Sequence, residues 1–247
     1  MSQTVLVTGA SRGIGRAIAV ALAGRGARVA LCYLGNTRAA EEAAERVRAA
    51  GATDVLLQQT DVADPQQVAQ LAAAIEERWG LLDVVANIAG FGCPGKLTDL
   101  TEDAWQRTLD VHVSGPFHVC RAMLPLLQRS PAACILNMSS VAGLRGLPGS
   151  IAYGTAKAAV IAFTRCLAWE LADQNIRVNA LCPGIIRTDF HAAMTAEARE
   201  HNLRNRIPLH REGSPQQVAE AALALIDNPY ITGETLTVDG GLSMRIC

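Results

Sequence analysis

Two side chains that can together move a proton lie four residues apart in the run Ser-Ile-Ala-Tyr-Gly-Thr-Ala-Lys, namely Tyr153 and Lys157. Because residues i and i+4 project from one face of a helix, the lysine ammonium can lie beside the tyrosine phenol. An unperturbed phenol has a pKa of ~10, and a nearby cation favours its ionised form. Ser140, a short loop upstream, offers a second hydroxyl. This pattern predicts acid–base chemistry of the kind needed to reduce a carbonyl or oxidise an alcohol.

A glycine-rich turn near the amino terminus indicates where a second reactant binds. Residues 5–19 read Val-Leu-Val-Thr-Gly-Ala-Ser-Arg-Gly-Ile-Gly-Arg-Ala-Ile-Ala, a strand-like run followed by a helix-like one. Gly9 permits a tight turn, Gly13 lets backbone approach phosphates, and Gly15 allows close packing of helix on sheet. The helix amino terminus at Ile14 offers free N–H groups to a diphosphate. The turn therefore predicts a dinucleotide that supplies or accepts hydride.

The end of the second strand indicates which dinucleotide this is. An acidic residue about 20 positions beyond the glycines normally binds the adenosine ribose hydroxyls, but residues 31–38 contain no carboxylate. Arg12, Asn36 and Arg38 are present instead, and a guanidinium attracts a 2′-phosphate. The pattern predicts NADP(H). The alternative is that Arg38 is only a solvated residue at the start of a helix and that either cofactor binds.

The order of apolar runs predicts the fold. Strands are expected at Val5–Val7, Arg28–Cys32, Val55–Gln59, Val84–Asn87, Cys134–Asn137, Arg177–Leu181 and Thr235–Val238, and helices at Ile14–Leu22, Arg38–Ala49, Gln66–Trp79, Asp103–Gln128, Ser150–Leu171 and Gln216–Ile226. Buried strands that alternate with crossover helices specify a parallel sheet. We predict an α/β fold, a Rossmann-type, doubly wound, seven-stranded parallel sheet with helices on both faces, in one domain spanning residues 1–247. Pro125 should kink or shorten the longest helix.

Composition narrows the classes of partner. The formal net charge of −1 and the scattered Arg and Lys residues argue against nucleic acid or an anionic membrane. The seven cysteines include no C-x-x-C pair and no zinc spacing, so we expect no metal and reduced, buried thiols. The short apolar run after Met1 does not predict a signal peptide or a membrane span. A cytoplasmic location is expected.

Several motifs, in this order and spacing, resemble the short-chain dehydrogenase/reductase family over the whole chain. They are Thr8-Gly-Ala-Ser-Arg-Gly-Ile-Gly15, Asp61-Val62, Asn87-Ile-Ala-Gly90, Ser140, Tyr153-Gly-Thr-Ala-Lys157 and Pro183-Gly-Ile-Ile-Arg-Thr188. The resemblance implies that Tyr153 is the general acid in reduction, that Lys157 lowers its pKa and binds the nicotinamide ribose, and that Ser140 binds the substrate oxygen. It also implies a homotetramer built by pairing of helices.

The resemblance further implies which positions bind the dinucleotide. Asp61 and Val62 would contact the adenine, the loop from Asn87 to Gly90 would shape the crevice, and the Pro183–Thr188 loop would hold the carboxamide. With the residues from the preceding arguments, the predicted cofactor-binding set is Gly9, Ser11, Arg12, Gly13, Ile14, Gly15, Asn36, Arg38, Asp61, Val62, Asn87, Ala89, Gly90, Tyr153, Lys157, Pro183, Gly184, Ile186 and Thr188.

One position departs from the family pattern. Where the family carries an asparagine that holds a proton-relay water, this chain has His112 in the run Val-His-Val-Ser-Gly-Pro-Phe. A neutral imidazole can also anchor a water, and the positive charge of Lys157 favours the neutral form. We therefore predict that His112 belongs to the catalytic set. The alternative is a helix histidine with no part in catalysis.

Within the family the chain most resembles the 3-oxoacyl-acyl carrier protein reductases of fatty-acid synthesis, which implies a 3-oxoacyl thioester as substrate. Whether acyl carrier protein is a partner stays open at this point. Arg129, expected near the mouth of the cleft, favours its docking, whereas Trp169 replaces a second arginine that docking would use. The alternatives are a dehydrogenase of a small secondary alcohol, sugar or polyol and, more remotely, a non-catalytic nucleotide-binding sensor or scaffold.

Three further expectations concern surfaces. The substrate pocket is predicted from a mainly apolar set, Phe91, Gly92, Cys93, Pro94, Val141, Leu144, Arg145, Leu147 and residues 187–205. Residues 187–211 are read either as a surface excursion or as a substrate lid. Helices 150–171 and 103–128 carry more apolar residues than one sheet face absorbs, which favours an assembly over a monomer. These residues are Val160, Ile161, Phe163, Leu167, Trp169, Val113, Phe117 and Met123.

Overall fold

The computed structural model describes residues 2–192 and 194–244, so Cys247 lies outside the described residues. Within them, seven strands form one sheet in which every neighbouring pair is parallel. The strands are β1 (Thr4–Thr8), β2 (Arg28–Tyr33), β3 (Asp54–Gln59), β4 (Val84–Asn87), β5 (Cys134–Met138), β6 (Arg177–Pro183) and β7 (Thr235–Val238). The predicted fold class is confirmed.

The strand order is β3-β2-β1-β4-β5-β6-β7, so the chain builds outward from β1 and then crosses back to place β4 beside it. Side chains of a strand alternate between the faces of a sheet. Val5 and Val7 pack in one hydrophobic core, whereas Leu6 packs in the other. β1 is therefore buried on both faces, as its continuous apolar run predicts.

Helices cover both faces of the sheet. The helices are α1 (Gly13–Ala23), α2 (Thr37–Ala49), α3 (Pro65–Trp79), α4 (Glu102–Leu109), α5 (Gly115–Leu127), α6 (Val141–Leu144), α7 (Ile151–Leu171), α8 (Ala196–His201) and α9 (Pro215–Asp227). Helices α1 and α9 contribute to one core, and α3, α5 and α7 contribute to the other. Among the described residues, 3₁₀ turns lie at Ala172–Gln174, Asp189–His191 and Leu242–Met244.

The long helix expected at Asp103–Gln128 is wrong as one continuous α-helix. A π-helical turn, Asp110–Ser114, separates α4 from α5. Pro116 has no N–H to donate to the carbonyl of His112, so the α-helical hydrogen-bond pattern cannot continue through this point. The N–H of Gly115 instead bonds the carbonyl of Asp110. Pro125 lies inside the last turn of α5, which ends at Leu127.

By length and composition alone, the helical stretch Ile151–Gln174 could cross a membrane. It packs on β5 and β6 and buries the Lys157 side chain, as the core helix of a folded domain does. The exposed part of this stretch includes Trp169.

Candidate active site

The reversal of strand order between β1 and β4 opens a crevice at the carboxyl ends of these strands. The glycine turn lies at this edge, where Gly9 has a φ of +63 and a Cβ there would lie 2.8 Å from the Cα of Ala89. A Cβ on Gly15 would lie 2.4 Å from the carbonyl oxygen of Gly9. Glycine is therefore required at both positions for the turn to fit between strand and helix.

The amino terminus of α1 suits a diphosphate. The helix begins at Gly13, and Arg12 at its N-cap position makes no side-chain capping hydrogen bond. Its first N–H groups point out of the helix and carry the positive end of the helix dipole. Ser11 and Ile14 are half-buried on either side of this turn. These features fit the predicted dinucleotide.

The loop after β4 is fixed to β1 by a residue that the predicted site did not include. The Thr8 hydroxyl accepts hydrogen bonds from the N–H groups of Ile88 and Ala89, at 3.0 and 3.1 Å. This places Ala89 and Gly90 at the crevice. A threonine that ends a strand just before a glycine turn is the signal that could have identified Thr8.

Asn87 does not present its side chain to the crevice. The side chain lies in the interior, where its amide donates to Asn137 Oδ1 at 2.9 Å, and Asn137 in turn donates to Thr164 Oγ1 at 3.0 Å. Buried amides need such partners. The predicted contribution of Asn87 to the cofactor site therefore stays a prediction, and it would come from the backbone at the end of β4 and not from the side-chain amide.

Ser140 lies against α7 because α6 approaches that helix closely. A Cβ on Gly143 would lie 2.6 Å from the backbone carbon of Lys157. The neighbouring Ser139 hydroxyl donates to the carbonyl of Lys157 at 2.7 Å. Ser140 caps α6 by accepting from the N–H of Ala142, so its own hydroxyl hydrogen can point at a substrate oxygen.

Tyr153 and Lys157 lie one turn apart on α7, as their spacing predicts. The Lys157 side chain is buried, and its Nζ donates to the carbonyl of Met138 at 2.7 Å. The same Nζ lies 5.6 Å from the centroid of the half-buried Tyr153 ring. Ser140, Tyr153 and Lys157 are thus brought together at the carboxyl end of β5.

Burial controls the pKa values of this pair. It raises the pKa of Tyr153 to about 12, against the opposing effect of a hydrogen bond with Ser140. It lowers the pKa of Lys157 to about 7. The expectation that Lys157 lowers the pKa of Tyr153 is wrong when only the protein's own side chains are considered. Burial favours the neutral form of each of the two side chains, and for Tyr153 this effect is the larger one. A positive charge held beside the phenol would act in the opposite direction.

His112 lies in the π turn and is fully buried. Its Nε2 is 2.9 Å from the carbonyl oxygen of Phe91, while its Nδ1 has no hydrogen-bond partner among the described residues. Burial first, and then the charge of Lys157, lower the pKa of His112 to about 2. The neutral form that the sequence predicts is therefore favoured, with burial as the larger cause.

The His112 ring also contacts the reactive side chain directly. Its centroid is 5.4 Å from that of Tyr153, edge to face, and 5.2 Å from that of Phe91. On the other side, the Tyr153 ring lies 5.8 Å from Phe190. A Cβ on Gly90 would lie 2.5 Å from the imidazole, so His112 fills the space beside the crevice loop.

The residues expected at the adenosine end lie around the carboxyl ends of β2 and β3. Asn36 caps α2 by accepting from the N–H of Ala39, and the exposed Arg38 pairs with Glu42 at 3.1 Å. The Arg12 guanidinium reaches Asp189 at 3.5 Å. Both arginines are solvent-exposed and can turn toward a phosphate.

Asp61 and Val62 follow β3. The Asp61 carboxylate accepts from Arg107 at 2.8 Å and from the N–H of Ala63 at 3.0 Å. Val62 is buried against Gly115. Arg107 holds the Asp61 carboxylate but was not among the predicted site residues. Nothing in the sequence around Arg107 indicates a contact with Asp61.

The loop expected at the nicotinamide continues from β6. Pro183 ends the strand, and the N–H of Gly184 donates to the carbonyl of Val238 at 3.0 Å. Ile186 is buried. The Thr188 side chain reaches the glycine turn, because a Cβ on Gly13 would lie 3.4 Å from its methyl carbon. The loop thus borders the crevice.

Residues 187–211 contain Asp189–His191, α8 and a second π-helical turn, Asn202–Arg206. Phe190 reaches over the site and contacts both Tyr153 and Gly92. A cavity of about 490 Å³ lies within the segment, lined by Ala192, Met194, Ala196, Arg199, Glu200, Leu203 and Arg204. The contact with Tyr153 favours the lid interpretation over a surface excursion.

The predicted pocket wall is partly exposed. Leu144 and Leu147 are each more than a third exposed at the edge of the site. The Arg145 guanidinium donates to the carbonyl of Ser243 at 3.1 Å. Cys93 is half-buried.

Arg129 does not lie near the mouth of the cleft in a single copy of the chain. It is in the loop that precedes β5, at the opposite edge of the sheet from Ser140. Its guanidinium pairs with Glu76 at 2.7 Å and donates to the carbonyl of Gly80 at 2.8 Å. Arg129 precedes β5 as expected, but it lies at the amino end of the strand, whereas the cleft lies at the carboxyl end. The expectation that Arg129 lies near the mouth of the cleft is therefore wrong for a single copy of the chain.

The described cysteines are all free thiols. Cys32, Cys120, Cys134 and Cys182 are buried as expected, whereas Cys93 is half-buried and Cys166 is exposed, which corrects the expectation for these two. Among residues 2–192 and 194–244, no group of three or more His, Cys, Asp or Glu side chains is arranged to hold a metal ion.

The chain is similar to oxidoreductases in three comparisons, with a protein family, with curated proteins and with solved structures. Residues 9–243 match a family described as "Enoyl-(Acyl carrier protein) reductase". A curated relative from Staphylococcus aureus, named 3-oxoacyl-[acyl-carrier-protein] reductase FabG, is 39% identical over 246 residues, which cover 99% of both chains.

Two solved structures are similar over nearly the whole chain. One is a Pseudomonas aeruginosa RhlG/NADP active-site complex, with 32% identity, a TM-score of 0.90 and coverage of 98% of this chain and 96% of that chain. The other is a short-chain type dehydrogenase/reductase from Mycobacterium marinum, with 29% identity, a TM-score of 0.92 and the same coverage.

Proposed function

The chain belongs to the short-chain dehydrogenase/reductase family of oxidoreductases, and on that premise we propose that it reduces a ketone to a secondary alcohol with NADP(H). The observation that carries the proposal is the meeting of Ser140, Tyr153 and Lys157 beside the crevice between β1 and β4. A proton donor, a second hydroxyl and a cation at the end of a dinucleotide cleft are the groups that carbonyl reduction needs.

The proposed mechanism starts from the neutral phenol of Tyr153, which burial favours, and from the ammonium form of Lys157, whose pKa of about 7 lets it give and regain a proton near neutrality. A dinucleotide held by the glycine turn and by the Pro183–Thr188 loop would supply the hydride that the carbonyl carbon accepts. Tyr153 gives its phenolic proton to the carbonyl oxygen, and the Ser140 hydroxyl donates a hydrogen bond to the same oxygen as negative charge develops there. The Lys157 ammonium then returns a proton to the phenolate, and His112, whose Nδ1 has no partner among the described residues, anchors a water through which Lys157 regains a proton from solvent.

The proposed cofactor is NADP(H), on the strength of Arg12 and Arg38 and of the NADP in the similar RhlG complex. Among the described residues the two guanidiniums pair with the exposed carboxylates of Asp189 and Glu42, which a 2′-phosphate can replace at little cost. The glycine turn would bind the diphosphate, Asp61 and Val62 the adenine, and Ile186 and Thr188 the carboxamide.

Arg38→Ala tests the cofactor. We expect the KM for NADPH to rise about tenfold, with the KM for NADH unchanged. Arg48→Ala, exposed at the far end of the same helix, is the matched control and should change neither value. Equal effects on the two dinucleotides would contradict a 2′-phosphate role.

The proposed substrate is a 3-oxoacyl thioester, as the names of the relatives indicate. Acyl carrier protein is a proposed partner, because the names of those relatives include it. A small free ketone is the second candidate, favoured by the apolar Leu144 and Leu147 at the edge of the site.

The family description also names enoyl reduction, so the substrate assay has three arms. Acetoacetyl thioesters, crotonyl thioesters and free cyclic ketones are each mixed with NADPH, and the fall in absorbance of the reduced nicotinamide is followed. The proposal expects the acetoacetyl thioester to give the largest kcat/KM. A larger value for crotonyl thioester would assign C=C reduction instead, and a larger value for free ketones would assign the second candidate.

We further propose one domain over residues 1–247, a homotetramer and a cytoplasmic location. Trp169 and Phe117 support an assembly, because they remain exposed on α7 and α5. Val160, Ile161 and Met123 do not, since they are buried within the single chain. The free thiols of the described cysteines are compatible with a reducing compartment.

A further inference from the structure

Glu212 is a buried carboxylate that the proposed chemistry does not use. Its side chain is only 6% exposed, and each carboxylate oxygen faces a different arginine. Oε1 lies 3.0 Å from Nε of Arg199, and Oε2 lies 3.5 Å from Nε of Arg187. One buried anion therefore joins a cation of the loop after β6 to a cation of α8.

The backbone around Glu212 is fixed to the loop expected at the nicotinamide. Gly213, the next residue, forms an isolated parallel bridge with Ile186. The N–H of Arg187 donates to the carbonyl of Gly213 at 2.9 Å, and the N–H of Gly213 donates to the carbonyl of Ile185 at 3.0 Å. These two hydrogen bonds hold Glu212 beside the 185–187 backbone whatever its side chain does.

Arg199 comes from the other side, on α8 in the middle of residues 187–211. It lines the cavity of about 490 Å³ in that segment, with apolar neighbours that include Met194 and Leu203. The ion pair with Glu212 therefore ties α8 to the loop that follows β6. The same segment carries Phe190 onto the Tyr153 ring.

The two ion pairs are unequal. Arg187 is 76% exposed and more distant, whereas Arg199 is 47% exposed and closer. A carboxylate as buried as Glu212 is stabilised only while its partners stay in place. The geometry thus resists movement of α8 away from Glu212, more than an exposed ion pair would.

We propose that Glu212 is a positioning residue that holds α8, through Arg199, against the nicotinamide loop and so fixes the wall of the substrate pocket. The proposal rests on the proposed function, because it assigns the 187–211 segment as the cover of that site. Neither Glu212 nor Arg199 touches the reacting groups. Their effect is on the shape of the pocket that the ketone enters.

The test uses the full-length protein with Glu212→Gln, which keeps the shape and removes the charge. Hydrogen–deuterium exchange of amides 196–206 is measured with mass spectrometry, and steady-state kinetics are measured with NADPH and an acetoacetyl thioester. We expect exchange in that segment to be about tenfold faster. We expect the KM for the thioester to rise about tenfold and kcat and the Kd for NADPH to stay within about twofold, because the backbone bonds at Gly213 remain.

Arg199→Gln should reproduce both effects. Arg25→Gln is the matched control, since Arg25 pairs with the exposed Asp227 and lies outside the 187–211 segment. A melting curve of each variant shows whether it is folded, and if Glu212→Gln does not fold, the exchange of Arg199→Gln is the deciding measurement. Unchanged exchange of amides 196–206 in Glu212→Gln and Arg199→Gln, or an equal change in Arg25→Gln, would overturn the proposal.

The exchange measurement separates this inference from the reductase assignment. If the wild-type chain reduces no ketone yet Glu212→Gln loosens residues 196–206, the proposed function fails and the tie through Glu212 stands. If reduction is observed and the KM is unchanged in Glu212→Gln, the tie does not shape the substrate pocket and the inference fails alone.

Discussion

At the scale of single residues, Lys157 shows how strongly the interior acts on a charge. Its ammonium is buried with one hydrogen bond, to the carbonyl of Met138, and burial lowers its pKa from 10.5 to about 7. Below pH 7 the lysine is charged in both the folded and the unfolded chain, so the folded chain carries the full cost of the buried charge. Above pH 10.5 the lysine is neutral in both.

Replacement of Lys157 by Met tests this effect. Between pH 7 and pH 10.5 the unfolded chain binds more protons at this residue than the folded chain, so the contribution of Lys157 to the unfolding free energy rises with pH. We expect Lys157→Met to be more stable than wild type at pH 7 and the difference to shrink toward pH 10. Urea unfolding at several pH values measures it. A difference that is independent of pH would contradict the buried charge.

His112 gives a prediction for turnover. Its pKa of about 2 means that the imidazole does not titrate in the working range, so any role depends on its hydrogen bonds. We expect His112→Ala to lower kcat at least tenfold and His112→Asn, which can hold a water, to retain most of it, with the acid limb of the pH profile unchanged. Full turnover by His112→Ala would assign the histidine to packing alone.

The residue types of the site could be predicted from the sequence, but their surroundings could not. The spacing of Tyr153 and Lys157 fixes one helix face, whereas the burial that raises one pKa and lowers the other depends on α6 packing against α7. Glu212 carried no local signal at all. Its partners Arg187 and Arg199 are brought to it only by the fold.

At the scale of elements, the approach of α6 to α7 sets the position of Ser140. Gly143→Ala would place a methyl group 2.6 Å from the backbone carbon of Lys157. We expect a loss of stability of about 1–3 kcal/mol and a fall in kcat, because α6 must move and carries Ser140 with it. Gly146→Ala, with no atom within 4 Å of the added carbon, is the control and should leave both unchanged. Thermal unfolding and turnover measure the two effects.

Strands and helices follow from the sequence where one signal dominates. The apolar runs of β1, β4 and β5 are buried on both faces, and each predicted strand lies within the observed one. The π turn at Asp110–Ser114 could not be read from apolar periodicity, since the residues on both sides keep a helical pattern. Pro116 was the overlooked signal, because it removes the N–H that the carbonyl of His112 needs.

At the scale of the whole molecule, the exposed apolar side chains of α5 and α7 indicate a surface on which another copy of the chain could pack. Trp169 is 89% exposed and Phe117 is 46% exposed. If these helices pair between copies, Trp169→Glu places a charge in the contact, and we expect dissociation to smaller species in sedimentation velocity. Leu34→Glu, exposed at the end of β2, should leave the assembly intact. An unchanged sedimentation coefficient for Trp169→Glu would exclude α7 from the interface.

The central claim for the molecule is that the Tyr153 phenol gives the proton when a carbonyl is reduced at the crevice between β1 and β4. The most direct test is the rate of NADPH oxidation by an acetoacetyl thioester in Tyr153→Phe, with Tyr230→Phe, at an almost fully exposed tyrosine, as the matched control. We predict a loss of about 10²–10⁴-fold in kcat, with NADPH binding retained and the control at full rate. A Tyr153→Phe enzyme that keeps the wild-type rate would contradict the assignment.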